Sequence, residues 1–306
     1  MRVDLEAAQD WIRGSIEPVG EIRVEHERSW ATVRRVPLEN GVAWFKACAP
    51  VQAFEPRLSA ELYSRWPDRV AEVIAHDEER AWLLLGDAGI SLHRVGNPPE
   101  AWVRILPLYA ELQRGETAHA GSHLAHGVPD LRVPTLPARY EDLLRADLPL
   151  ESGELAWLRK FTARFAELCA ELAADDIPET VQHDDLHHAN VYDRDGVLRV
   201  LDWGDSSVSH PFGSLVVTFR FLEEVTGLAR DDPWLGRLKA AYLEPWGPGL
   251  EEELELALRV TAFAHAFAWG RQRDHLPDGE RPRFDRFFAV ILRRAMSSAG
   301  LPGLEG

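Results

Sequence analysis

The chain has 306 residues, 45% of them hydrophobic and 27% charged, which excludes an extended disordered polypeptide and suggests two packed units of unequal size. A formal net charge of −16 repels nucleic-acid phosphates and anionic membrane faces and suits a cationic partner better. The two cysteines, Cys48 and Cys169, are too few and too far apart for a disulfide framework or a zinc ribbon, and they fit a reducing cytoplasm.

Residues 1–10 are acidic and lack the apolar run of a signal peptide. Residues 21–36 alternate in the manner of a half-buried strand, with Ile22, Val24, Thr32, Val33 and Val36 as its strand-formers. Asn40-Gly41 is a hairpin-turn dipeptide, and Val42-Ala43-Trp44-Phe45-Lys46-Ala47 reads as the return strand. Leu58, Leu62, Val70, Val73 and Ile74 recur at helical spacing, which predicts a helix over 59–73 interrupted near Pro67. Residues 81–85 form a short apolar run ended by Gly86, the pattern of a buried strand.

Beyond residue 100 the pattern is mostly helical. A helix is expected over 102–119, kinked at Pro107, then a loop rich in Gly, His and Pro over 115–136. Leu155, Leu158, Phe161, Phe165, Leu168 and Leu172 share one face of a helix over 154–174. Further helices are expected over 214–227, 232–243, 251–271 and 282–298. The most apolar of these stretches, 260–269, contains His265 and is too short to span a bilayer. An α+β protein follows, with strands and one helix in residues 1–85 and a larger, mostly helical part in 86–306.

One segment breaks the helical half. Asp195-Gly196 is a turn, Val197-Leu198-Arg199-Val200-Leu201 a strand, and Val191-Tyr192 its short partner. Residues equidistant from the turn face each other, so Asn190 lies opposite Leu201 or Asp202, with Asp185 in the loop just before. Two carboxylates and an amide oxygen thus meet at the open end of a hairpin. Magnesium takes such oxygen donors, one or two carboxylates with phosphate oxygens and water completing its shell. Phosphoryl transfer needs little beyond positioning and charge neutralisation, and Asp185 is left to accept a proton from an acceptor hydroxyl.

The run His183-Asp184-Asp185-Leu186-His187-His188-Ala189-Asn190 resembles the H-x-D-x-x-x-x-N catalytic loop of the aminoglycoside phosphotransferase and choline kinase-like family, and Asp202-Trp203-Gly204 resembles its form of the D-F-G segment. The resemblance implies a two-lobed protein-kinase-like fold, with ATP and magnesium as cofactors. It implies Asp185 as the base, Asn190 and Asp202 as magnesium ligands, and His183 as a brace for the loop. It also implies a strand lysine, Lys46, that grips the phosphates and pairs with a helix glutamate; Glu61 matches best, with Glu55 the alternative beside Pro56. Leu84, Leu85 and Gly86 resemble the hinge whose backbone meets the adenine edge. The phosphate-covering loop has no G-x-G-x-x-G, and Arg28 to Thr32 stand in its place.

The chain departs from the family where Asp184 replaces a customary glycine, and where Val208 to Leu215 lack the carboxylates of the usual G-D-P segment. Acidic residues that could meet an acceptor are Asp205, Glu223, Glu224, Asp231, Asp232 and Asp274, Asp205 first among them because it lies three residues from Asp202. Their convergence would favour an amine-bearing small molecule such as an aminoglycoside or an amino alcohol, with no role for nucleic acid or membrane. Two other readings stay open: a non-catalytic nucleotide-binding module of the same fold, and a metal-dependent phosphohydrolase using His183, Asp184, His187 and His188. A protein kinase is disfavoured, because about ten residues separate the D-x-G segment from the next helix, too few for an activation loop of the usual kind.

Overall fold

The computed structural model describes residues 4–229 and 232–301. The N-terminal part opens with a helix that the periodicity did not announce, α1 (Leu5–Ser15), capped by Asp4, whose carboxylate accepts from the Glu6 and Ala7 N–H groups. Next come strands β1 (Arg23–Glu27), β2 (Ala31–Leu38) and β3 (Gly41–Cys48), helix α2 (Glu55–Arg65), and strands β4 (Val73–Asp77) and β5 (Trp82–Leu85). All five strands form one antiparallel sheet in the order β1-β2-β3-β5-β4. The alternation over 21–36 is therefore two strands, broken by a turn at 28–30. The β2–β3 hairpin closes at Leu38 and Gly41, so its two turn residues are Glu39 and Asn40, one position earlier than the dipeptide suggests.

The helix expected over 59–73 is corrected at both ends. It starts at Glu55, because Pro56 in the first turn has no N–H that the helix would miss and its fixed φ suits the start. It stops at Arg65, and Val73 and Ile74 go instead into β4, where β-branched side chains pack well. One face of the sheet is covered by α1: Trp11 meets Phe45 and Trp82 edge-on at 5.9 and 5.8 Å, over a small core that includes Ile12, Val36, Phe45 and Leu84.

After β5 the chain adds the short strand β6 (Ile90–Ser91) and enters the helical part: α3 (Pro99–Glu116), α4 (Ala120–Ala125), β7 (Asp130–Leu131), α5 (Leu136–Arg145) and α6 (Ser152–Leu172). The loop expected over 115–136 is thus largely structured, and α3 passes through Pro107. Then follow β8 (Thr180–Gln182), β9 (Val191–Arg194), β10 (Val197–Val200), β11 (Ser207–Ser209) and the helices α7 (Ser214–Thr226), α8 (Pro233–Leu243), α9 (Glu251–Asp274) and α10 (Arg281–Ser298). A second, larger core fills this part, with Tyr140, Phe165 and Phe263 stacked or edge-on within 5.3 Å of one another.

Two three-stranded sheets hold the segment that matters. The β9–β10 hairpin pairs Val191 with Val200 and Arg194 with Val197, so its turn is Asp195-Gly196, both at positive φ (55° and 83°) as this tight turn requires. Its outer neighbour is β6. The other sheet, β7-β11-β8, sets Ser207 opposite Gln182 and so brings the chain after residue 202 beside the chain entering residue 183.

Candidate active site

The loop from His183 to Asn190 runs from the end of β8 to the start of β9. His183 is fully buried and held on three sides. Its N–H donates to the Tyr109 hydroxyl (3.0 Å), its Nδ1 accepts from the Asp185 N–H (3.3 Å), and its Nε2 donates to the Leu201 carbonyl (2.8 Å). Burial lowers its pKa, which suits a neutral ring with one accepting and one donating nitrogen. The histidine therefore ties the loop to the strand end that precedes Asp202. Asp184 turns the chain at φ 60°, a conformation that Asp tolerates better than most residues. Its buried carboxyl accepts from Gln182 and Ser207, and burial pushes it up to about 7.

Asp185 keeps a quarter of its side chain exposed and is gripped from two sides. Asn190 Nδ2 donates to its Oδ2 (3.2 Å) and to its backbone carbonyl (3.0 Å). The ring of His187 accepts the Ala189 N–H at Nδ1 (3.0 Å), so Nε2 carries the proton and points it at Asp185 Oδ2, 3.2 Å away. With its NH2 spent on Asp185, Asn190 has its amide oxygen left as a donor to a cation. Its carbonyl accepts from the Leu201 N–H (2.9 Å), which fixes Asn190 opposite the residue before Asp202.

Asp202 also sits at positive φ (65°), with half of its carboxylate exposed and Oδ1 2.5 Å from Lys46 Nζ. Lys46 on β3 is buried, and its second partner is Glu55, 2.6 Å away. Burial works against the lysine charge, but Asp202 and Glu55 outweigh it and hold its pKa well above the usual lysine range. Burial likewise pushes Asp202 up, and the Lys46 ammonium beside it more than reverses this, leaving the carboxyl below its ordinary value. The assignment of Glu61 as the lysine's partner is corrected. Glu61 lies six residues beyond Glu55, about 9 Å further along the helix and on another face. Its carboxylate meets Arg57 (3.0 Å) and His126 (3.2 Å) instead. Pro56 sits in the first turn of α2 and marks the start that brings Glu55 into the helix.

The hinge expectation is also corrected. Leu84 and Leu85 lie on β5 between β3 and β4, with ladder partners on both sides, and the Gly86 N–H donates to the Glu72 carbonyl (2.9 Å). Backbone open to an adenine edge therefore begins at the Gly86 carbonyl, which accepts no backbone hydrogen bond among the described residues. The turn at Arg28 to Trp30, which occupies the phosphate-loop position, reaches across the cleft through the Ser29 hydroxyl to Glu280.

The Asp205 Oδ1 accepts from the amides of Gln52 (2.8 Å) and Gln272. Burial, reinforced by the Asp185 and Asp202 charges, raises its pKa above the ordinary carboxylate value. Of the other acidic candidates, Glu224 pairs with Arg294, Asp232 caps α8 through the Trp234 N–H (2.8 Å), Asp274 is exposed at the end of α9, and Asp231 lies outside the described residues. The hydrolase set does not converge: His183 bonds Leu201, Asp184 bonds Gln182 and Ser207, His187 bonds Asp185, and His188 faces His93 (3.0 Å). Among the described residues no group of three or more His, Cys, Asp or Glu is arranged to hold a metal ion. The oxygens of Asn190 and Asp202 fit a hard cation whose remaining ligands come from phosphate and water.

The phosphotransferase enzyme family model matches residues 39–257. By sequence, no curated protein matches the chain. Solved structures do. Choline kinase LicA from Streptococcus pneumoniae superposes with a TM-score of 0.67 at 14% identity, covering 97% of this chain and 99% of that one. A choline/ethanolamine kinase family protein from Mesorhizobium loti gives 0.63 at 16%, covering 96% of each chain. Amicoumacin kinase hAmiN, in complex with AMP-PNP, Ca2+ and Ami, gives 0.60 at 11%, covering 95% and 94%. At these identities the structures establish the fold, and the family match extends over the lysine strand, the catalytic loop and the D-W-G segment. The chain belongs to the phosphotransferase enzyme family and is a small-molecule kinase with the two-lobed, kinase-like α+β fold.

Proposed function

We propose that this kinase moves the γ-phosphate of ATP to a hydroxyl of a small molecule in the cleft between residues 1–85 and 86–306. Lys46, braced by Glu55, is placed to bind phosphate; Asp202 and Asn190 would hold magnesium; Asp185 would accept the hydroxyl proton. The observation that carries this reading is the joining of Lys46 to Asp202 across the cleft (2.5 Å), with the Asn190–Asp185 pair at the adjacent ladder position. Magnesium supplies charge neutralisation of the transferring phosphate. The protein's own groups do the rest: His187 and Asn190 orient the Asp185 carboxylate, and His183 keeps the loop's ends together. The nucleotide and divalent ion in the amicoumacin kinase complex support these cofactors. A binding module without catalysis has no chemical use for a carboxylate held and aimed as Asp185 is.

Among the described residues no helix is long and apolar enough to cross a membrane. Both cysteines are free and buried, which supports a reducing, cytoplasmic setting. The functional test is a screen of hydroxyl compounds with γ-labelled ATP, with and without magnesium. Label entering an acceptor only when magnesium is present supports the reading; magnesium-dependent ATP binding with no transfer to any acceptor contradicts it.

A further inference from the structure

Helix α7 is fastened to the catalytic loop at two points. Thr218 Oγ1 donates to the Leu186 carbonyl (2.7 Å), and the Phe221 ring packs on His187 and His188, with centroids 4.4 and 5.3 Å apart. Between them stands Arg220, its guanidinium carbon 4.7 Å from the centre of the Phe221 ring. Among the described residues no hydrogen bond or ion pair holds this guanidinium, and its Nε is buried without a partner. The carboxylates whose charges reach it are Asp185 and Glu224. Asp185 is already engaged by His187 and Asn190, and Glu224 by Arg294.

His265 of α9 belongs to the same neighbourhood. It is 4% exposed with both ring nitrogens buried. Burial first, then the Arg220 charge, lowers its pKa to about 3; the Asp185 charge reaches it as well, and its ring lies against the Asp184 backbone, whose hydrogen bond acts to raise its pKa. Buried donors left unpaired are costly, and arginine presents five of them in a fork matched to carboxylate and phosphate oxygens. An unpaired arginine beside the base therefore describes half of an anion site, where the acceptor must lie.

We propose that the acceptor carries an anionic group, carboxylate or phosphate, which Arg220 binds while the hydroxyl faces Asp185. This rests on the phosphotransferase reading and names the substrate class of that site. It reverses the expectation of an amine-bearing acceptor drawn from the net charge. Screening limits distant surface charge to about 8 Å at physiological salt, so the groups lining the cleft decide. The carboxyl best placed for an amine, Asp205, is occupied by two amides.

The test uses the full chain with Mg-ATP and a panel built in matched sets: hydroxy acids with their carboxamides, sugar phosphates with the parent sugars, and amino alcohols and aminoglycosides. The expected result is turnover of carboxylate or phosphate members, whichever set responds naming the anion. In Arg220→Gln the kcat/KM ratio of the charged member over its neutral counterpart falls about a hundredfold, mainly through KM, and Arg220→Lys restores part of it. Preference for neutral or cationic members by the wild-type protein overturns the proposal, whatever the variant does. So does an equal loss on charged and neutral members, which would assign Arg220 to the nucleotide. Magnesium-dependent ATP hydrolysis with no anionic acceptor turned over overturns the anion site and leaves the phosphotransferase reading standing. Absence of Mg-ATP binding removes both.

Discussion

Single residues carry the site, and several of them break a local rule in doing so. Asp184 and Asp202 are non-glycine residues at positive φ, Lys46 and Glu55 are buried charges, and Asp205 is a carboxyl among amides. Each is held by named partners that make the local cost tolerable. Spacing from the hairpin turn was enough to bring Asn190 level with Leu201, because a two-residue turn fixes the register of both strands. The partner of Lys46 was not legible in the same way, since it depends on where α2 begins and a single proline decides that. The pairing has a direct consequence. Glu55→Gln leaves Lys46 with one carboxylate and is expected to weaken Mg-ATP binding about tenfold, measured by calorimetry, whereas Glu61→Gln should leave it within about twofold. Equal effects of the two substitutions would return the role to Glu61. The sequence pattern offers His187 only as a metal-ligand candidate. The signal for its orienting role is the Ala189 N–H two residues on, which fixes the tautomer and which no side-chain pattern reveals.

At the level of elements, legibility followed periodicity. The four C-terminal helices fall within three residues of the spans expected for them, because each carries a long apolar face. The misread elements are short ones whose form is set by partners distant in the chain. Val73 and Ile74 fit a helix face until β5 claims them, and β7 exists because β11 pairs with it. The catalytic hairpin depends on a similar distant contact. Gly89, at φ 96°, lies directly against the Asp193 carbonyl just before β6 pairs with β9. A side chain there meets both a clash with backbone and a strained φ. Gly89→Ala is expected to lower the unfolding free energy by about 1–3 kcal/mol in denaturant titration. An unchanged midpoint would mean that the hairpin does not rely on β6.

For the whole molecule, stability and catalysis meet in the buried carboxyls beside the cleft. Asp184, raised to about 7 by burial, keeps its proton in the folded protein over a range where the unfolded chain has released it. Between about pH 4 and 7 the native state binds the extra proton, so unfolding free energy falls as pH rises, by up to roughly 1.4 kcal/mol per unit from this group. Asp184→Asn should flatten that slope in urea titrations across this window; a slope equal to that of the parent protein would show that the carboxyl is ionised when folded. The division of labour between the parts follows from their chemistry. In the proposed reaction the sheet would supply one cation, Lys46, to the phosphates, and the helical part would supply the carboxylates and amide to order a metal and a hydroxyl. Once an acceptor is in hand, single-turnover transfer from Mg-ATP by Asp185→Ala tests the central claim most directly. A transfer rate reduced about 100- to 10,000-fold, with Mg-ATP affinity little changed, is the predicted result; transfer within a few fold of the parent rate would contradict it.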